Sequence, residues 1–264
     1  IMMIHNFDPI LIDFGVIQIR WYSLAYIFGI LLGWWYGKVI LKKHTENQKI
    51  YLENFDDLVG YIILGIIVGG RLGYVIFYNP LFYFDNLSEV FKIWKGGMSF
   101  HGGLIGVIIV IYIFSNLKNL NYKIYFDTIS SVAPIGIFFG RIANFINGEL
   151  YGIPTEKPWG VIFPEVDSNV RHPSQIYEAL LEGFVLFLIL NIIIFNKKSY
   201  FGLVSSIFLI LYGTFRLACE QFREPDEHIG YIFNYFSMGS ILSIVMIFFG
   251  FLFMSKIIFD EKNR

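Results

Sequence analysis

Charge is what this sequence has least of: Asp, Glu, Lys and Arg supply only 16% of its 264 residues, against about a quarter in an ordinary soluble domain. Cysteine is almost missing too. The single Cys219 excludes an internal disulfide and a cysteine-rich metal site, and a small buried cysteine is its simplest reading. Neither sign of charge dominates, and a net charge of -1 lacks the basic surface that a nucleic-acid partner needs. A Gly-x-Ser-x-Gly elbow, a Walker-type loop and zinc-ligand spacing are all absent. The chain is therefore expected to supply neither a covalent nucleophile nor a metal, and no cofactor is expected. The stretch Ile1–Asp13 has no basic residues ahead of its apolar ones, so a cleavable signal is not expected. No internal repeat is visible.

What is present is apolar: 56% of residues are hydrophobic and 19% aromatic. Seven runs have roughly the 20-residue length that crosses a bilayer. They are Trp21–Ile40, Leu58–Tyr78, Phe100–Phe114, Tyr125–Ile146, Ile176–Phe195, Phe201–Glu220 and Ser237–Ile257. The expected fold is an all-α integral membrane protein with seven transmembrane helices, residues 1–264 forming a single polytopic membrane domain. Pro134 is expected to kink the fourth helix. Lysine placement gives the orientation. With the N-terminus outside and the C-terminus in the cytoplasm, eleven of the twenty basic residues fall in short inner segments: Lys38, Lys42, Lys43, Lys49, Lys118, Lys123, Lys197, Lys198, Lys256, Lys262 and Arg264. The outer segments are longer. Residues 79–99 read as an interfacial amphipathic segment. Residues 147–173, with Pro154, Pro158, Pro164 and Pro173, read as a small non-helical extracytoplasmic cap. The loop Gln221–Phe236 carries Arg223-Glu224-Pro225-Asp226.

Polar residues inside the spans carry the functional signal. Arg71, Arg141 and Arg216 each lie toward the outer end of a span, and His101 opens the third. An arginine at the bilayer centre costs roughly 2.5–3.5 kcal/mol, less near the interface, so partners are required; Glu149, Glu178 and Glu220 are the acidic candidates. The stretch Gly140–Gly152 concentrates Arg141, Asn144, Asn147 and Glu149, and places Arg141 and Asn144 on one helix face. Tyr212, Arg216 and Glu220 line one face of the sixth helix, where Arg216 and Glu220 either neutralise each other or leave the arginine to a ligand. Glu178 either pairs with a buried arginine or serves the site. Arg71, among Gly69, Gly70 and Gly73, marks either close helix packing or an anion ligand. The Gly102-Gly103 pair after His101 removes side chains beside the imidazole. Tyr22 starts the first span on the outer side. Arginines converging at headgroup depth, with Asn and Tyr donors, suit the phosphate of a lipid.

At these residues the chain resembles the bacterial phosphatidylglycerol–prolipoprotein diacylglyceryl transferase family. The resemblance spans Arg20-Trp21-Tyr22, Gly69–Tyr74, His101–Gly106, Gly140–Gly152, Arg171–Gly183, Tyr212–Glu220 and Phe222–Asp226. Ser23 departs from it, standing where glycine is usual. The resemblance implies transfer of a diacylglyceryl group from phosphatidylglycerol to the thiol of the lipobox cysteine in a preprolipoprotein signal peptide, forming a thioether and releasing glycerol phosphate. It implies a bacterial cytoplasmic (inner) membrane location, with membrane lipids as surroundings and the active site on the extracytoplasmic side. The nucleophile then belongs to the substrate. His101 or Glu149 is the candidate base, and Arg141 and Arg216 the phosphate ligands. Asn144, Asn147, Tyr22, Arg71, Gly152, Tyr212 and Glu220 complete the expected lipid contacts. The competing reading is an anion or lipid transporter, which would show an inverted repeat and midplane polar residues.

Overall fold

Each of the seven apolar runs is a helix. The computed structural model describes residues 3–15, 18–45, 47–78, 80–196, 200–224 and 237–263. Outside them lie Asn79 of the expected interfacial segment, Lys197, Lys198 and Arg264 of the inner basic set, and Pro225, Asp226 and the rest of the loop to Phe236. Among the described residues, seven helices are long and apolar enough to cross a membrane. The chain packs as two compact units: Ile1–Gly37 with Asp127–Arg264, and Lys38–Phe126.

In the first unit, strand β1 (Met3–Ile4) and the hairpin β2 (Ile10–Asp13) and β3 (Gln18–Arg20) precede helix α1 (Trp21–His44). Helix α1 runs on into the second unit, which holds α2 (Gln48–Phe77), the short α3 (Pro80–Asp85) and α4 (Phe100–Leu117). Helix α5 (Tyr122–Ile146) leads back, with Pro134 inside its continuous span. Strands β4 (Val161–Ile162) and β5 (Val170–Arg171) follow. The fifth span is composite: α6 (Ser174–Glu178), a π-helical stretch Ala179–Val185, then α7 (Leu186–Ile194). Helices α8 (Leu203–Glu220) and α9 (Met238–Lys262) close the chain.

The expected non-helical segment 147–173 gains order from strands. β4 pairs in parallel with β1 and antiparallel with β5, so the chain's first residues complete a three-stranded sheet. Beneath it Phe145, Val161 and Phe163 form a core with Tyr151, Val166 and Ile176. The His5 ring joins through Nε2, 2.7 Å from the Phe145 carbonyl. Strands of two to four residues are too short for an alternating pattern to register, so they add to the all-helical expectation.

Elsewhere in this unit, polar side chains tie the helices together. Tyr36 on α1 donates to Asn191 Oδ1 on α7 at 2.9 Å, and the Asn191 amide donates to the carbonyls of Phe187 and Ser131. The buried Asp127 carboxylate accepts the amides of Gly202 and Ser205 at 2.6 and 2.8 Å, satisfying N–H groups that α8 leaves unpaired at its start.

In the second unit, α2 and α4 meet through glycine. A Cβ on Gly73 would stand 2.6 Å from Gly102 Cα, and one on Gly69 or Gly102 would strike the partner helix's backbone. The space expected beside the His101 imidazole at Gly102 is therefore filled by α2. Ser99 caps α4, its Oγ accepting the Gly102 amide at 3.2 Å. A Gly102→Val variant should lose roughly 1–3 kcal/mol of stability through overpacking. Gly60→Ala, where an added Cβ meets nothing within 4 Å, should be neutral; thermal unfolding in detergent compares the two.

Candidate functional site

Helix α5 delivers the first site residues. Arg141 and Asn144 share a face, the helix ends at Ile146, and Gly148 adopts a positive φ of 68° to turn the chain. The turn brings Glu149 back onto the helix end, its amide donating to the Asn144 carbonyl at 3.1 Å. Glu149 Oε1 then accepts from Asn144 Nδ2 at 2.7 Å and from Asn147 Nδ2 at 3.4 Å. Asn144 is buried while Glu149 faces outward. Tyr22, on the first turn of α1, hydrogen-bonds Tyr26 at 3.1 Å and lies against Asn144.

Behind this turn sits a buried charge cluster. Glu178 and Glu182, four residues apart on the composite fifth span, have no exposed side-chain surface. Arg141 binds both, with Nη1 3.0 Å from Glu178 and Nη2 3.2 Å from Glu182. Arg216 on α8 pairs with the other Glu178 oxygen, lies 3.7 Å from Glu182, and places Nη2 2.6 Å from Glu220. Arg223 adds a third guanidinium 3.4 Å from Glu178, and Ser237 donates to Glu220 at 2.7 Å. Tyr212, buried one turn before Arg216, shares the field of these groups. Three guanidinium groups thus balance three carboxylates. Desolvating six charges is tolerable only with such mutual compensation.

The Arg216–Glu220 neutralisation read from spacing is present, and so is the pairing of Glu178 with buried arginine. Neither leaves the arginines wholly enclosed: Arg141 keeps 16% of its side chain exposed, against 9% for Arg216 and Arg223. Sequence reasoning passed over Glu182. Its signal was there, since it follows Glu178 at i+4 and so shares that residue's face. Arg223 was read only as part of an outer loop.

Gly152 sits where no side chain fits. An added Cβ would lie 2.7 Å from the His172 Cβ and would also strike main-chain oxygens of His172 and Phe222. Its amide donates to the His172 carbonyl at 2.9 Å, and its carbonyl accepts from Arg171 Nη1 at 3.0 Å. Arg171 is the clasp of this region: Nη2 lies 2.6 Å from Asp167 and Nη1 2.8 Å from Glu224, with the guanidinium over the Tyr151 ring. The Arg171 contact holds the Asp167 carboxyl well below the ordinary carboxylate range. Asp167 in turn raises Arg171. Burial lowers His172, whose Nδ1 lies 3.0 Å from the Tyr177 hydroxyl.

The second unit holds the other two expected residues. Arg71 is buried and spends its donors on main-chain carbonyls: Nε on Val90 at 2.8 Å, Nη2 on Glu89 at 2.6 Å, and Nη1 on Gly96 and on Gly97 at 3.1 Å. Its guanidinium stacks over Tyr83 at 5.2 Å. The contact to Gly96 is the shorter of the Nη1 pair, at 2.5 Å, and the arginine thereby anchors residues 89–97 after α2. Glu89, lowered by hydrogen bonds from Lys92 and Lys95, gathers both lysines within 2.8 Å. His101 lies in the first turn of α4, its ring edge-on to Phe100 at 5.4 Å.

Known proteins are similar to this chain over most of its length. Residues 9–256 match the family model described as prolipoprotein diacylglyceryl transferase. A protein of Rickettsia bellii (strain OSU 85-389) named phosphatidylglycerol–prolipoprotein diacylglyceryl transferase is 51% identical over 251 residues, covering 94% of this chain and 95% of its own length. Proteins of the same name from Rickettsia felis and Rickettsia typhi are 50% and 49% identical, each over 94% of this chain and 96% of its own length.

The Asp167–Arg171 clasp makes a pH prediction. Because Asp167 titrates lower when folded than when unfolded, its contribution is complete above pH of about 4 and fades as pH falls through the folded value. Amide exchange across residues 152–171, corrected for its intrinsic pH dependence, should rise only below that point. In Asp167→Asn it should already be raised at neutral pH and show no acid step.

Proposed function

Since the chain belongs to the prolipoprotein diacylglyceryl transferase family, we propose that it transfers the diacylglyceryl group of phosphatidylglycerol to the thiol of a prolipoprotein's lipobox cysteine. The bond formed is a thioether; the bond broken joins the diacylglyceryl carbon to the phosphate oxygen, and glycerol phosphate leaves. This is displacement at a saturated carbon. The enzyme must supply a thiolate and stabilise the departing phosphate.

The observation that carries this reading is the pair of guanidinium groups, Arg141 and Arg216, held on the same two buried carboxylates. Their charge is permanent and their planar forks suit phosphate oxygens. Arg141, the most open of the cluster, takes the phosphate first, and Arg216 stabilises the charge that develops as the bond breaks. Asn144, Asn147, Tyr22 and Tyr212 bind the glycerol and phosphate oxygens, Gly152 lets His172 and Phe222 pack closely behind the Glu149 turn, and Glu220 holds Arg216. The proton of the thiol passes to His101 or to Glu149; Glu149 has its carboxylate outward on two asparagine amides.

The chain is a multi-pass membrane protein of the bacterial inner membrane in this reading, with the N-terminus and the site on the extracytoplasmic side. Residues 147–173 form a cap there. The segment from Pro80 to Ser99 lies on the headgroup layer, where its exposed Leu81, Phe84, Phe91 and Trp94 enter the apolar boundary while Lys92 and Lys95 meet anionic lipid.

Reconstitution with phosphatidylglycerol and a lipobox peptide, with the product followed by mass, tests the reaction. Arg141→Gln should lower turnover by about 10²–10³-fold, the scale of losing one transition-state donor. A folded Arg141→Gln variant with full turnover would remove that residue's assigned role. Arg216→Lys should also be impaired, since a point charge does not reproduce the fork. Whichever of His101→Gln and Glu149→Gln flattens the alkaline-rising limb of the rate profile identifies the base.

A further inference from the structure

The chain just after the turn that presents Glu149 is held from outside along its main chain. Four successive main-chain oxygens each have a donor beyond the turn. Gln175 Nε2 donates to Glu149 at 2.7 Å and Ser174 Oγ to Leu150 at 2.9 Å. The Glu224 amide donates to Tyr151 at 3.1 Å, and Arg171 Nη1 to Gly152 at 3.0 Å. Within the turn Leu150 has a φ of 58°, a left-handed conformation that a leucine resists. A strained residue persists only where its surroundings over-determine it. Ser174 and Gln175 are themselves completely buried at the start of α6, so neither side chain has a solvent role that would explain a hydroxyl and an amide there.

We propose that Ser174 and Gln175 are positioning residues that lock the Glu149–Leu150 turn, and so fix the Glu149 carboxylate over Asn144 and Asn147. The proposal rests on the reading above that Glu149 acts in the reaction. Its physical content is a balance. Leu150 pulls the turn toward ordinary backbone angles, and the two buried donors hold it against that pull. The Glu149 carbonyl and its carboxylate belong to one residue, so a shift of the main chain at Gln175 moves the carboxylate directly. Displacements of about 1 Å in a catalytic group cost up to about 10²-fold in rate. Leucine at 150 makes the lock necessary, and glycine there would relax it, since glycine adopts positive φ freely.

The test uses the full-length protein in lipid, with turnover normalised to folded enzyme. Gln175→Met keeps the length but removes the donor, and Ser174→Ala removes the hydroxyl. Each should lower kcat by about 10–10²-fold with little change in KM for phosphatidylglycerol. Ser174→Thr, which keeps the hydroxyl, should retain turnover, and adding Leu150→Gly to Gln175→Met should recover at least part of the loss. A merely structural role would lower the yield of folded protein without this split or this rescue. If Gln175→Met fails to fold, the Ser174→Ala and Ser174→Thr pair carries the test alone. Loss of activity in Glu149→Gln together with wild-type kcat in Gln175→Met and Ser174→Ala overturns the lock while leaving Glu149 in place. Wild-type turnover in Glu149→Gln overturns the role of Glu149, and the lock with it.

Discussion

Glu178 is a carboxylate with no exposed surface, between guanidinium groups from α5, α8 and the residues after α8. The elements that carry these arginines are tied together through it. Removing one partner from a buried ion pair costs about 3–5 kcal/mol, because the remaining charge is left unsolvated. Each element of the cluster is therefore held in register by the others. The same constraint has a chemical consequence. In the proposed reaction, arginines already fixed by buried carboxylates need not be ordered when the phosphate arrives, so little reorganisation opposes charge development. The cluster is close to neutral, which keeps its own cost in a membrane low, yet its cations remain cations at every accessible pH.

The two units use intramembrane arginine in opposite ways. Arg141 is satisfied by carboxylates and keeps a face open; Arg71 is satisfied by four neutral carbonyls and a tyrosine ring. Carbonyls quench donors without cancelling charge, so Arg71 is saturated geometrically while remaining a cation. That suits an anchor. It makes the turns from Glu89 to Gly97 a rigid extension of α2, and their outward aromatic residues are presented by a stiff support rather than a loose loop. In the sequence the two arginines look alike, each in a polar break near the end of an apolar run. Only the identity of the acceptors separates them, and acceptors on the main chain leave no mark in a sequence.

What could be read in advance follows the same division. Spans were legible because about 20 apolar residues leave few alternatives, and starts such as Trp21 and Phe100 fall where expected. Helix α2 begins at Gln48, well ahead of the apolar run at Leu58. The added turns are polar outside, but bury Tyr51 and Phe55 against Tyr125, a partial face that average hydropathy does not register. Arg141 and Asn144, and separately Arg216 and Glu220, were legible because helical spacing groups them; Glu149 stood only in the same short stretch, and the turn at Gly148 brings it back to Asn144. The sheet was not, since its pairing joins Met3 to Val161 across most of the chain. Glu182 was within reach of the same reasoning, since it stands four residues from Glu178 in an apolar run and so shares its helical face.

The π-helical stretch Ala179–Val185 carries this second carboxylate, Glu182. Gly183, the next residue, approaches α5 so closely that an added Cβ would stand 2.7 Å from the Phe138 Cβ. Such bulges are rare and concentrate at functional sites. One irregular stretch thus serves two contacts, Glu182 in the charge cluster and glycine against α5. At Leu150 the same economy recurs on a smaller scale. One residue leaves its preferred conformation, and buried side chains on a neighbouring element hold it there. In both places the departure from regular structure lies next to a charge that the proposed reaction relies on.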